Sequence, residues 1–341
     1  MSLFSHISWL GPQSAPPSSW VEALQAAPPW RGLERSAFRV FESRTTPFTS
    51  VHGFETNAGA VAGRRYWLKV YRREPDAAGQ EFSFLRDAAA RVTGAAGLEV
   101  ARPVAWLPAI GGIVTAHIEG RPLAALLADP AVPPDRKEQL CRRAGALLAR
   151  IHGPVTPVEG ERFEFAPVLD AIRRELEDFP SEARKRLCDR LEPLAARLAP
   201  TECELRPGHG DYAPFNLMVT PQGLAAFDPS FHRAFSRPGN RSTPAEDLAR
   251  FAATLRGIWP GTFAAPDRRH LQVVFFSAYR EAGGPAFSPE SPSFRVLFTY
   301  FLLRGLRDWG GLRLRLGGGP ARATVFRLWL DELIDAPLIP S

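Results

Sequence analysis

GHGDYAPFNLMVTPQGLAAFDPS, residues 208–230, decides how the chain is read. Two short apolar runs, LMV (217–219) and LAAF (224–227), flank TPQG, whose Pro and Gly suit a turn. With Val219 opposite Leu224, Leu217 falls near Ala226 or Phe227 and Asn216 near Asp228. Two polar side chains then emerge together at the open end of one hairpin. An amide oxygen beside a carboxylate is a hard-oxygen pair suited to Mg²⁺, which takes few protein ligands and keeps waters or substrate phosphates. Asp211 precedes Asn216 by five residues in a loop returning to the same end, where a carboxylate can accept a hydroxyl proton. His209 is expected to brace this loop through backbone hydrogen bonds.

Around this stretch the pattern divides in two. Between 36 and 118, AFRVFES, TSVHGFET, RRYWLKVYR and GGIVTAHIE are rich in β-branched and aromatic residues and bounded by Gly, Asn or Pro. One helical run interrupts them at 76–92, where Phe82, Leu85, Ala89 and Val92 recur at helical spacing. Beyond GRPL (120–123) helical patterns dominate: 136–152, 168–178, 182–198, 244–256, 267–282, 290–307 and 320–334. The helix at 244 carries a start signal, Thr243-Pro244-Ala245-Glu246, with Thr as cap, Pro at the first position and Glu closing a capping box. Residues 1–35, rich in Pro, Ser and Trp, read as an irregular arm or short helix packed on the surface. The expected fold class is therefore α+β and bilobal. An arm (1–35) precedes a small antiparallel lobe with one helix (36–119) and a larger, mainly helical lobe (120–341). Two lobes on a short hinge favour a ligand cleft.

Bulk properties narrow the function. The 341 residues are 45% hydrophobic and 23% charged, which suits a globular chain with an ample core. The net charge is +6, and the positive charge is nearly all scattered Arg, since Lys occurs only at 69, 137 and 185. A mild positive field suits an anionic ligand such as a nucleotide, or a weak membrane-surface preference. There is no basic stripe or zinc pattern, so nucleic acid is not an expected partner. Three widely spaced cysteines point to a reducing compartment. No segment approaches the ~20 apolar residues of a membrane span, and no signal-peptide pattern opens the chain, so a cytoplasmic location without an integral membrane segment is expected.

The spacing H-x-D-x₄-N-x₁₁-D resembles the catalytic loop and metal-binding Asp of the protein-kinase-like superfamily, in the small-molecule branch of aminoglycoside phosphotransferases and choline kinases. The resemblance spans about 36–335. It implies that Asp211 positions or deprotonates an acceptor hydroxyl, and that Asn216 and Asp228 hold Mg²⁺ on the phosphates of ATP. Lys69, mid-strand in YWLKVYR, would be the nucleotide lysine, a compact charge for the α/β-phosphates. Its partner is Glu81 on the following helix, with Glu74 the second choice. GGIVTAHIEGRPL resembles the family's hinge, which puts the backbone of Ala116 and Ile118 at the adenine edge. AEDLARF resembles a downstream signature in which Asp247 supports the catalytic loop. No glycine-rich phosphate loop is recognisable, so TTPFTS or ETNAGAVAG must serve as the covering turn. Pro-Ser follows Asp228, and position 210 is Gly rather than Arg, which favours a kinase without control by activation-loop phosphorylation.

The expected function is an ATP- and Mg²⁺-dependent phosphotransferase acting on a hydroxyl of a small molecule of aminoglycoside, sugar or amino-alcohol type. The alternatives are a kinase for sugars of a cell-envelope glycolipid and a pseudokinase-like binding protein. His232, Arg237, Arg241 and Glu246 are candidate acceptor-lining residues.

Overall fold

The computed structural model describes residues 8–10, 18–154, 163–177, 181–198, 205–230, 241–257 and 265–315. The chain forms two compact units, Met1–Gly120 with Ser230–His232, and Arg121–Pro229 with Arg233–Ser341. The expected helix at 320–334 lies outside the described residues, as do His232 and Arg237.

The first unit is built on an antiparallel sheet. Its strands are β1 (Ser8–Leu10), β2 (Phe38–Thr45), β3 (Thr49–Thr56), β4 (Arg65–Tyr71), β6 (Pro103–Leu107) and β7 (Gly112–Ala116), in the order β1-β2-β3-β4-β7-β6; a further short strand, β5 (Leu98–Val100), precedes β6. Alternation along β4 sorts its side chains. Tyr66 and Leu68 enter the core, whereas Trp67, Lys69 and Tyr71 project from the other face. That other face is served by the helix α2 (Ala77–Val92), which packs on β4, β6 and β7.

The segment ahead of the sheet is more than a surface arm. Helix α1 (Ser18–Ala26) and a 3₁₀ turn at Pro28–Trp30 bring Trp20, Leu24 and Trp30 into the same core as Phe38, Val40, Phe54, Tyr66 and Leu68. Trp30 is fully buried and meets Tyr66 edge-on at 5.2 Å and Phe54 at 5.9 Å. Among its described residues the first unit therefore holds two α-helices, one over each face of the sheet. The segment expected as an irregular arm or short helix does form a short helix, and its Trp residues close one of those faces.

The second unit is mainly helical: α3 (Leu123–Ala128), α4 (Pro134–His152), α5 (Ala166–Leu176), α6 (Ser181–Ala196), α7 (Pro244–Gly257), α8 (Ala265–Glu281) and α9 (Pro292–Arg315). Short strands β8 (Arg121–Pro122), β9 (Arg206–Pro207), β10 (Leu217–Val219), β11 (Leu224–Ala226) and β12 (Arg241–Ser242) lie among them. Its core centres on rings. Phe251 on α7 stacks on Phe275 of α8 at 3.9 Å, and Tyr212 lies alongside both. No helix among the described residues is long and apolar enough to cross a membrane.

Helices α4 and α8 approach closely because α4 carries Gly145 at the crossing. A Cβ there would stand 2.3 Å from the Phe275 carbonyl oxygen and 2.9 Å from the Tyr279 nitrogen. Those are backbone atoms, so no side-chain rotation relieves the clash. Gly145→Ala should destabilise the second unit by about 1–3 kcal/mol, read as a lower urea midpoint in circular dichroism.

Candidate active site

The hairpin forms in the expected register, Val219 opposite Leu224 and Leu217 opposite Ala226. Beyond the ladder the Phe227 N–H donates to the Asn216 carbonyl oxygen at 3.0 Å. Asn216 therefore pairs with Phe227, and Asp228 follows one residue later. Asp228 is exposed and has φ of 57°, the only positive φ outside glycine among the described residues. Asp tolerates this left-handed region better than most residues, yet holding it there costs about 1–3 kcal/mol, a kind of strain that clusters at functional sites.

The loop before the hairpin is held from beneath by Asp247 on α7. This carboxylate is almost fully buried. Its Oδ2 accepts the His209 N–H at 2.7 Å and its Oδ1 the Gly210 N–H at 2.8 Å. His152, at the end of α4, brings Nε2 to within 3.1 Å of Oδ2, and its Nδ1 meets the Tyr279 hydroxyl at 2.7 Å. Gly210 has φ of 72°, which lets its N–H follow that of His209 onto the same carboxylate. Burial by itself would push the Asp247 carboxyl up. The His152 hydrogen bond and charge, with His209 and its N–H, outweigh it and hold the carboxyl below its usual range.

His209 braces the loop as expected. Its ring is buried edge-on against Tyr212 at 5.5 Å, and burial holds its basicity below the usual imidazole value. The Tyr212 hydroxyl donates to the Ala144 carbonyl of α4 at 2.7 Å.

On this frame Asp211 and Asn216 meet. Asn216 Nδ2 donates to the Asp211 carbonyl at 2.9 Å and to Asp211 Oδ2 at 3.0 Å. The amide nitrogen is thus spent on Asp211, which leaves the oxygen end of Asn216 for a cation. That oxygen and the Asp228 carboxylate are hard donors that fit a divalent cation. No group of three or more His, Cys, Asp or Glu among the described residues could form a metal cage. A cation here would keep water or phosphate oxygens as its remaining ligands, as Mg²⁺ prefers.

In the first unit, Lys69 Nζ lies 3.0 Å from Glu81 Oε2, with the side chains 14% and 3% exposed. The Tyr71 hydroxyl donates to the same Glu81 oxygen, and the Lys69 ammonium sits 5.0 Å from the Tyr71 ring centroid. Burial, and then the Glu81 carboxylate, raise the Tyr71 phenol well above its ordinary range, so it remains a donor. Glu74, the second choice, is exposed just before α2. On the same face, Trp67 Nε1 donates to His117 Nδ1 at 2.9 Å, and Phe41 lies edge-on to Trp67 at 5.6 Å. Ala116 ends β7 with its N–H given to the Arg102 carbonyl at 2.9 Å, so this residue has no backbone donor to spare for a base. Ile118 lies two residues past it, half-buried.

The register also separates the two candidate covering turns. Val51 pairs with Lys69 and Thr49 with Tyr71, which puts TTPFTS at the Lys69 end of the sheet. ETNAGAVAG lies at the Arg65 end, beyond the Glu55–Arg65 pair.

Sequence reading passed over His152, Tyr71 and Arg250. The helical pattern 136–152 placed His152 at a helix end without a role, and Tyr71 is an ordinary strand aromatic in sequence. Glu246 and Arg241, candidate acceptor contacts, serve the fold. Glu246 is buried and accepts the Ser242 hydroxyl, and Arg241 donates to the Leu205 carbonyl at 3.2 Å. In the capping box, Thr243 Oγ1 takes the Ala245 N–H at 3.4 Å, while the Glu246 carboxylate turns to Ser242.

Solved structures similar to this chain include small-molecule kinases. The chain is similar to the amicoumacin kinase hAmiN in complex with AMP-PNP, Ca²⁺ and Ami, at 15% identity and a TM-score of 0.57, covering 90% of this chain and 91% of that one. It is similar to a glucosamine kinase in complex with glucosamine, ADP and inorganic phosphate, at 16% identity and 0.52, covering 94% and 100%. A choline/ethanolamine kinase family protein from Mesorhizobium loti matches at 19% identity and 0.52, covering 93% and 92%. No curated protein sequence matches the chain. A profile of the phosphotransferase enzyme family, APH, matches residues 53–282, and the chain belongs to that family.

Because the Asp247 carboxyl is held below its usual value, it stabilises the fold fully above about pH 5. That contribution drains away as the pH falls through the ordinary carboxylate value of 3.8 towards the group's own lower one. Asp247→Asn should cost about 3–5 kcal/mol, as breaking a buried charge pair does. In acid titrations followed by fluorescence, the variant should show a flatter loss of stability below pH 5 than the wild type.

Proposed function

We propose that the chain transfers the γ-phosphoryl group of ATP, with Mg²⁺, to a hydroxyl of a small molecule. The observation that carries this reading is the Asp211–Asn216 pair, a carboxylate oriented by an amide whose nitrogen is spent on it. Asp211 orients the acceptor hydroxyl and takes its proton. Asn216 and Asp228 hold the cation, which when bound would neutralise charge on the phosphate oxygens. Lys69, fixed by Glu81 and Tyr71, meets the α/β-phosphates as a point charge. The Ala116 carbonyl and the Ile118 N–H meet the base. Phosphoryl transfer asks little covalent chemistry of a protein, so these residues act by position and charge.

The acceptor class includes sugars, aminoglycosides and amino alcohols. Kinases for amicoumacin and glucosamine share the fold, and this supports a polar, hydroxyl-bearing acceptor.

Calorimetry with Mg·ATP and a turnover screen over sugars, aminoglycosides, choline-like amines and nucleosides test the reading. Asp211→Ala should lower turnover by about 10²–10⁴-fold while ATP binding stays close to wild type. Lys69→Met should weaken ATP binding itself. A wild type that binds no Mg·ATP and turns over no acceptor would refute the enzyme reading; ATP binding with no turnover would leave a binding protein.

A further inference from the structure

The segment 208–218 contains no Lys or Arg, so the motif itself supplies no cation to Asp211. The fold supplies one from elsewhere. Arg250 Nε donates to Asp211 Oδ1 at 2.7 Å, across 39 residues of chain, with the two side chains 15% and 23% exposed. The guanidinium carbon lies 5.4 Å from the ring centroid of Phe215 and 5.4 Å from that of Phe301. Phe215 belongs to the same loop as Asp211, and Phe301 to α9, which packs on α7.

We propose that Arg250 is the positioning residue of Asp211. Asp247 and Arg250 are three residues apart on α7, so they share one helix face. Asp247 fixes the loop backbone at residues 209 and 210, and Arg250 fixes the next side chain. The carboxylate is then held at both ends, Oδ1 by Arg250 and Oδ2 by Asn216. Each carboxylate oxygen has two lone pairs, so both oxygens can still accept a hydrogen bond. What the clamp removes is rotation of the carboxylate about χ1 and χ2. The acceptor hydroxyl then meets a fixed lone pair, and such placement matters because a misplacement of about 1 Å can cost roughly 10²-fold in rate. The two rings matter as well. They hold the planar guanidinium by cation–π contact, which Lys reproduces poorly.

This proposal rests on the reading of Asp211 as the group that handles the acceptor hydroxyl. Its test is a double-mutant cycle on the full chain, measuring kcat and KM for ATP with an acceptor found by the screen, or for ATP hydrolysis by water. Arg250→Met should lower kcat by about 10²-fold while KM for ATP stays within about threefold. Arg250→Lys should recover part of that loss. In Asp211→Asn, the further change Arg250→Met should cost almost nothing, because the group it positions no longer acts. AMP-PNP binding by each variant shows that the fold is intact. A loss that multiplies across the cycle, or a kcat for Arg250→Met within about threefold of wild type, overturns the proposal. Equal turnover by wild type and Asp211→Asn would instead overturn the underlying reading, so the two failures are distinguishable.

Discussion

A carboxylate with almost no solvent must find its donors inside the protein or give up its charge. Asp247 solves this with two consecutive backbone N–H groups and a histidine, and each partner ties a separate part of the second unit to α7. His152 fixes the end of α4 and, through Tyr279, reaches α8. His209 and Gly210 fix the loop that carries Asp211. The loop has no regular structure of its own before the turn at 214–216. Its shape is borrowed from the helices, through Asp247 and Arg250 on α7 and through the Tyr212 hydroxyl on the α4 backbone. A fold that binds its loop this way places the Asp211 carboxylate as accurately as a helix is placed, although the residue itself sits in irregular chain.

The first unit uses the same device with opposite charge. Lys69 and Glu81 form a nearly dry pair, and Tyr71 adds a hydroxyl to the carboxylate. Such pairs contribute little net stability, since desolvation offsets most of the attraction. An apolar pair would fill the space between β4 and α2 equally well. An ammonium braced so that it cannot wander supports the proposal that Lys69 meets an anion. Near the surface, a lone Lys would lose about 2 kcal/mol of rotamer freedom on being ordered by that anion. Glu81 and Tyr71 restrict it beforehand.

Much of this was legible in the sequence because it depends on short separations. The hairpin register follows from a turn and two apolar runs. Lys69 and Glu81 come from the resemblance to the small-molecule kinases, and the fold brings the two side chains together. The hairpin expectation missed by one residue at its open end, where Phe227, not Asp228, faces Asn216, because the ladder ends at Ala226 and Asp228 turns into the left-handed region. The rest was hidden by distance along the chain. Arg250 is one Arg among many until α7 is folded against the loop. His152 and Asp247 are 95 residues apart. Trp20 and Trp30 read as part of a surface arm or short helix because Pro and Ser surround them, yet apolar burial pulls them over the sheet. Local pattern carries no information about such pairings, which arise only when faces are assigned to one another.

The turn at TTPFTS is built without glycine, near the lysine proposed to meet phosphate. Thr46 Oγ1 accepts the N–H of Phe48 at 3.2 Å and of Thr49 at 2.9 Å, so the tip closes on its own hydroxyl. Arg72 reaches back to it, its N–H giving 2.8 Å to the Phe48 carbonyl and its guanidinium 3.1 Å to that of Thr46. Arg73 lies 4.8 Å from the exposed Phe48 ring. A glycine-rich loop meets phosphate with free backbone N–H groups and gains its fit from flexibility. Here the N–H groups of Phe48 and Thr49 are already engaged and the turn is stiffened at three points. An anion beside this turn must therefore take its positive charge from side chains. Arg72 and Arg73 stand at the turn itself, and Lys69 lies two rungs from it on the adjoining strand. For an anion held here, the work of backbone amides would pass to these side chains, and the Lys69 ammonium is one that the fold already holds still against a buried carboxylate.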